Sequence, residues 1–267
     1  MLRVGIAGFG AIGSVVGRAL DRGIAGFKLE AVAVRDAARM PPALASLATC
    51  VDAVAPEELA RRCDVVVECA PAAAFCGIVT PAARAGRVVI TVSAAALIEN
   101  MQVIELAHAH GGRIILATGA LLGFDAVRAA AKGTIHSVTM VTRKPPKSLF
   151  DAPYLAAHGI DITNLAAPLK VFSGTAREGA RGFPANVNVA AALALAGIGP
   201  ERTMLEIWAD PSLSRNTHTI KVDADTVRFE MTIENVPTPE KPATGRVTAL
   251  SVIAALESLT SPLRVGS

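Results

Sequence analysis

Two groups of residues in this chain have types and spacings suited to chemistry. The first is "GIAGFGAIGSVVG" near the start, in which Gly8, Gly10 and Gly13 recur as GxGxxG. In a dinucleotide-binding turn the first glycine permits a tight exit from a strand, the second lets the backbone approach a pyrophosphate, and the third lets helix and strand pack closely. Ala11 and Ile12 complete the loop. Its N–H groups and the positive end of the following helix would hold phosphate without a side-chain cation. The second expected strand ends "AVAVRD", which puts Arg35 where an acid that binds the ribose 2′-OH often stands, with Asp36 next to it. Arg35 is either solvated or a fork for a 2′-phosphate, and Asp36 reaches a ribose hydroxyl, so the expected cofactor is NAD or NADP.

The second group surrounds His218 in "SRNTHTIKV", with Arg215, Asn216 and Thr217 beside it at the start of an expected strand. Imidazole titrates near neutrality and so serves as either acid or base. The other histidines read as structural: His108 and His110 end a helix, where they serve its last carbonyls, and His136 and His158 lack a polar cluster. Asn186 and Asn188 open the apolar run in "FPANVNVAAALALAG", where an Asn either caps the helix or turns its carboxamide to a ligand. Cys69 in "VVVECAP" stands at a strand end with no base nearby and reads as a shielded thiol.

The elements that must position these groups change character along the chain. Up to about residue 119, β-rich runs ("LRVGIAG", "KLEAVAVRD", "DVVVECA", "GRVVITVS", "GRIILATG") alternate with Ala-rich helical ones, the rhythm of βαβ units on a doubly wound parallel sheet. From 120 to 245 the strands alternate in polarity, as in "TIHSVTMVTRK", "TMLEIWAD", "NTHTIKVDA" and "TVRFEMTIEN", which predicts an α+β domain with a mixed or antiparallel sheet. Residues 246–267 hold a final helix, expected to pack back on the first domain.

Composition narrows the partners. Hydrophobic residues at 52% and charged residues at 18% describe a globular protein. The net charge of +3 is dispersed, without the basic stripe that nucleic acid needs. "FPANVNVAAALALAGIGP" is broken by proline and two asparagines, so it reads as a buried helix and no membrane span. No targeting peptide is read at the start. Cys50, Cys63, Cys69 and Cys76 form no CxxC pair, so buried thiols in a reducing cytoplasm are expected, and no metal site.

"GFPANVNVAAALALAGIGPERT", "EIWADPSLSRNTHTIKV", "FEMTIENVPTPEKPATGRVTALSVIAAL" and the ending "SPLRVGS" together resemble the L-aspartate dehydrogenase family across nearly the whole chain. The resemblance implies a Rossmann domain joined to an α+β domain that also mediates homodimerisation. It also implies reversible NAD(P)-dependent oxidation of L-aspartate to iminosuccinate, which water hydrolyses to oxaloacetate and ammonia, in a cytoplasmic enzyme of amino-acid metabolism or NAD biosynthesis. By the same resemblance, His218 is the acid or base, Asn188 contacts the cofactor, and Ala120 in "ATGALLG" contacts it from the loop after the last Rossmann strand. Arg143, Lys144, Lys170 and Arg215 are open alternatives for the substrate carboxylates. Rival readings are a two-domain enzyme resembling homoserine dehydrogenase or dihydrodipicolinate reductase, and a non-catalytic dinucleotide sensor.

Overall fold

The protein is described by a computed structural model, in which residues 1–35, 42–184, 187–238 and 244–265 are placed. The chain divides into two compact units, 1–117 with 248–264, and 118–247 with 265–267.

The first unit runs β1 (Leu2–Ala7), α1 (Gly13–Arg22), β2 (Phe27–Ala33), α2 (Pro42–Ala45), β3 (Asp52–Ala53), α3 (Pro56–Arg62), β4 (Val65–Glu68), α4 (Phe75–Arg84), β5 (Val88–Thr91), α5 (Ala94–Glu99), α6 (Gln102–Ala109) and β6 (Arg113–Leu116). Its sheet is parallel throughout, in the order β3-β2-β1-β4-β5-β6, with the two halves wound outward from β1. That order is the Rossmann arrangement, which leaves a crevice at the carboxyl ends of β1 and β4. β4 reads "VVVE" and is buried along its whole length, as a central parallel strand covered on both faces must be. α3 shows how local sequence sets an element: Pro56 starts it, Glu57 and Glu58 fill its first turn, and Arg61 and Arg62 its last. Those charges complement the helix dipole.

In the second unit the order is α7 (Phe124–Ala130), β7 (Ile135–Lys144), α8 (Pro153–Ala157), β8 (Leu169–Thr175), α9 (Ala176–Gly182), α10 (Asn188–Ala196), β9 (Thr203–Ala209), β10 (Thr217–Ala224) and β11 (Arg228–Glu234). The sheet order is β11-β10-β7-β9-β8, with β7 and β9 parallel and the other pairs antiparallel. The expected mixed sheet is therefore present. Val138, Met140, Leu205, Ile207, Ile220 and Val222 make its buried face, at alternate positions of three adjacent strands. β8 is an edge strand that sequence alone did not indicate.

The last helix, α11 (Val247–Thr260), places Val252 and Leu256 in the hydrophobic core of the first unit, with Val4, Ile6 and Val16. Cysteine burial departs from expectation. Cys63 is buried, but Cys50 and Cys76 are exposed, because Cys50 lies in the link before β3 and Cys76 on the solvent side of α4. Among the described residues no helix is long and apolar enough to cross a membrane.

Candidate active site

In the first unit, the loop from β1 to α1 assigns a different job to each glycine. Gly8 has φ +93°, and a Cβ there would meet the Cys69 carbonyl at 2.8 Å. A Cβ on Gly13 would fall on the Gly8 carbonyl oxygen. Both are demanded by the packing of the chain itself. Gly10 is exposed, and a Cβ on it would meet nothing within 4 Å, so its backbone is open to an approaching ligand. Ala11 and Ile12 are half-buried, Ile12 opens α1 without a side-chain cap, and no acid sits in the first turn. Free N–H groups and a positive helix end beside an open glycine fit a diphosphate. The Gly8 N–H donates to the Ala33 carbonyl at 2.8 Å, which ties this loop to the end of β2. Arg35 follows there and is exposed, whereas Asp36 lies outside the described residues.

Beneath this loop, Cys69 Sγ donates to the Gly8 carbonyl at 3.1 Å, and burial pushes its thiol pKa up, which suits a shielded thiol. Glu68, missed by sequence reasoning, is buried at the end of β4. It accepts from Thr91 Oγ1 at 2.5 Å, Ser93 Oγ at 3.2 Å and the Ala70 N–H at 3.0 Å. Burial raises its pKa against those bonds.

In the second unit, antiparallel pairing of β10 with β7 sets His218 opposite Thr142. The His218 ring Nδ1 lies 3.1 Å from Thr142 Oγ1, and the residue is 2% exposed. Burial, reinforced by the Lys144 charge, lowers the imidazole pKa to about 3. Lys144, two residues past Thr142 and also buried, is itself lowered to about 8 by desolvation. Past the strand ends, the Asn235 N–H donates to the Asn216 carbonyl at 2.9 Å, and Asn235 Nδ2 donates to the Ala120 carbonyl at 3.1 Å. Asn235 thus ties Ala120 to Asn216, which stands two residues before His218 along the chain. Sequence reasoning missed Thr142 and Asn235, and only their register reveals them.

The remaining candidates fall elsewhere. Asn188 opens α10 and is half-buried, and Asn186 lies outside the described residues. Arg143 binds Asp210 at 3.1 Å and lies over the Trp208 ring. Lys170 pairs with Glu206 at 3.3 Å, and Arg215 is exposed. His110 Nδ1 meets the Leu106 carbonyl and His158 Nδ1 the Tyr154 carbonyl, each at 2.9 Å, the structural use expected of them.

A Rossmann sheet with an open glycine loop, followed by a mixed sheet holding a buried histidine, defines a dehydrogenase of two units. Family models agree: "Homoserine dehydrogenase, NAD binding domain" matches residues 8–117 and "Aspartate dehydrogenase, C-terminal" matches residues 125–259. The chain is 52% identical to an L-aspartate dehydrogenase of Bradyrhizobium diazoefficiens, over 100% of this chain and 94% of that one. It is also 52% identical to an L-aspartate dehydrogenase 3 of Bordetella bronchiseptica, over 100% of this chain and 98% of the relative. The crystal structure of an aspartate dehydrogenase from Thermotoga maritima superposes with a TM-score of 0.77 at 23% identity, over 100% of both chains, and so shares the fold. The chain belongs to the aspartate dehydrogenase family.

Proposed function

We propose that the protein oxidises L-aspartate to iminosuccinate, which water hydrolyses to oxaloacetate and ammonia, and that the reaction runs in both directions. The observation that carries this reading is the buried His218–Thr142 pair, set in a polar cluster of a chain from the aspartate dehydrogenase family. NAD or NADP, when bound, supplies the acceptor for the hydride that leaves the substrate α-carbon.

The protein's own residues do the rest. Gly8, Gly10, Ala11, Ile12 and Gly13 present backbone to the diphosphate, with Arg35 and Asp36 at the ribose and Ala120 and Asn188 as further cofactor contacts. In the tautomer that carries its proton on Nδ1, His218 donates to Thr142 Oγ1, 3.1 Å away, and its lone pair lies on Nε2. It is neutral near pH 7, the state in which a base must start. It takes a proton from the substrate ammonium as the C=N bond forms, or from the water that attacks the imine. The homodimer and the cytoplasmic setting implied by the resemblance belong to the same reading.

The test is turnover of purified protein with L-aspartate and either cofactor, with ammonia measured alongside. Reduced nicotinamide and ammonia are expected to appear in equal amounts. If neither cofactor is reduced, and oxaloacetate with ammonia does not oxidise NADH or NADPH, the reading is overturned.

A further inference from the structure

The buried polar side chains of the second unit exceed what one histidine and its partner need. Thr142, Lys144, Asn216, His218 and Asn235 are each between 2% and 8% exposed. Register sets Thr142 opposite His218 across β7 and β10; Lys144, two residues on, ends β7, and Asn216, two residues before His218, directly precedes β10, both buried. Side chains repeat every two residues along a strand, so Thr142, Lys144 and His218 project from the buried face, and Asn216 is buried just before β10.

Two features of this cluster point to a ligand. Lys144 is the one Lys or Arg that is buried among the described residues. Arg143, at the intervening position, is on the opposite face with Asp210 and Trp208. Asn216 Oδ1 is a buried acceptor with no hydrogen-bond partner. Leaving such an atom bare is costly, and an N–H donor would satisfy it. A molecule carrying both a carboxylate and a nitrogen donor matches the two groups at once.

We propose that this cluster seats the acid substrate, with Lys144 holding a carboxylate and Asn216 Oδ1 accepting from the substrate nitrogen, beside His218. The identity of the acid rests on the aspartate reading, but the roles of the two side chains do not. A consequence concerns basicity. The Lys144 charge disfavours protonation of His218, and a carboxylate on Lys144 offsets that charge, so the imidazole gains basicity when substrate is present. Among the described residues, His218 on β10 is the titratable group that feels the Lys144 charge, and Asp210, whose N–H donates to the Lys144 carbonyl at 2.8 Å, has its carboxylate engaged by Arg143 and Ser212.

The experiment is calorimetric titration of the dinucleotide-loaded protein with succinate, a dicarboxylate without nitrogen, beside steady-state kinetics with L-aspartate. Lys144→Met is expected to weaken succinate at least ~30-fold and to raise KM for L-aspartate similarly, with dinucleotide affinity kept. Lys144→Arg should restore part of the loss. Asn216→Ala should raise KM for L-aspartate ~10-fold yet leave succinate unchanged, since succinate has nothing to donate. In the wild type, succinate affinity should fall as pH rises through about 8, where Lys144 loses its proton. That measurement serves even if Lys144→Met does not fold. Succinate bound equally by wild type and a folded Lys144→Met, or affinity flat through that pH range, overturns the proposal. Succinate binding that needs Lys144, in a protein that does not oxidise L-aspartate, would overturn the proposed function and leave this site standing.

Discussion

His218 shows how one residue is shaped by what buries it. Its imidazole is held in the neutral form because charging it inside the sheet face is costly, and Lys144 adds to that cost. A stability prediction follows from its pKa of about 3 in the folded chain against 6.5 for the unperturbed side chain. The unfolded state takes up a proton first, so stability should fall as pH drops below 6.5 and stop falling for this reason near 3. The slope from one such group is at most about 1.4 kcal/mol per pH unit. Denaturant midpoints against pH should show it in wild type and lack it in His218→Gln; equal slopes would refute it. Lys144 acts in the alkaline range with the same sign, as its folded pKa of about 8 lies below 10.5, so its contribution is lost as pH falls from 10.5 to 8. Not all of this was legible in the sequence. His218 stood out because Arg215, Asn216 and Thr217 are its neighbours along the chain. Thr142 is 76 residues away and is joined to it by strand register alone. Lys144 was one of four open cations in the sequence, and alternation along β7 sets it apart by placing it on the buried face.

Among the elements, the β1–α1 loop has glycines that packing demands, Gly8 and Gly13, and one, Gly10, that it does not, which is the glycine the proposed cofactor site uses. Gly13→Ala forces a Cβ onto the Gly8 carbonyl and should destabilise the protein by ~1–3 kcal/mol. Gly10→Ala meets no protein atom and should change stability by less than ~1 kcal/mol, while weakening dinucleotide binding ~10-fold or more, because its methyl occupies the ligand's approach. Thermal melts and cofactor titrations of the two variants check this; matching behaviour in both would contradict it. The strands of the first sheet were readable because burial on both faces writes continuous apolar runs, as in "VVVE". Several elements were not, and three of them show why. β3 is two residues long, too short to show a period. α4 carries Pro81 inside it, which reads as a breaker. β8 is an edge strand whose pairing slips between Lys170 and Phe172, which disrupts its alternation.

At the scale of the whole molecule, the chain returns to its first unit after building the second. α11 supplies Val252 and Leu256, both fully buried, to a core otherwise made from the first part of the chain. Leu256→Ala should therefore destabilise the first unit by ~2–5 kcal/mol, read by denaturant unfolding with a probe in that unit. No loss of stability there would show that the helix is dispensable. Activity is likewise a property of the whole, and it divides an enzyme from a protein that only senses dinucleotide. The most direct measurement compares wild type with His218→Ala for L-aspartate-dependent reduction of NAD and NADP, with cofactor affinity measured in the same samples. The expected result is a ~10²–10⁴-fold loss of kcat with cofactor affinity preserved. Undiminished turnover in the variant would contradict the assignment of His218 to the chemistry.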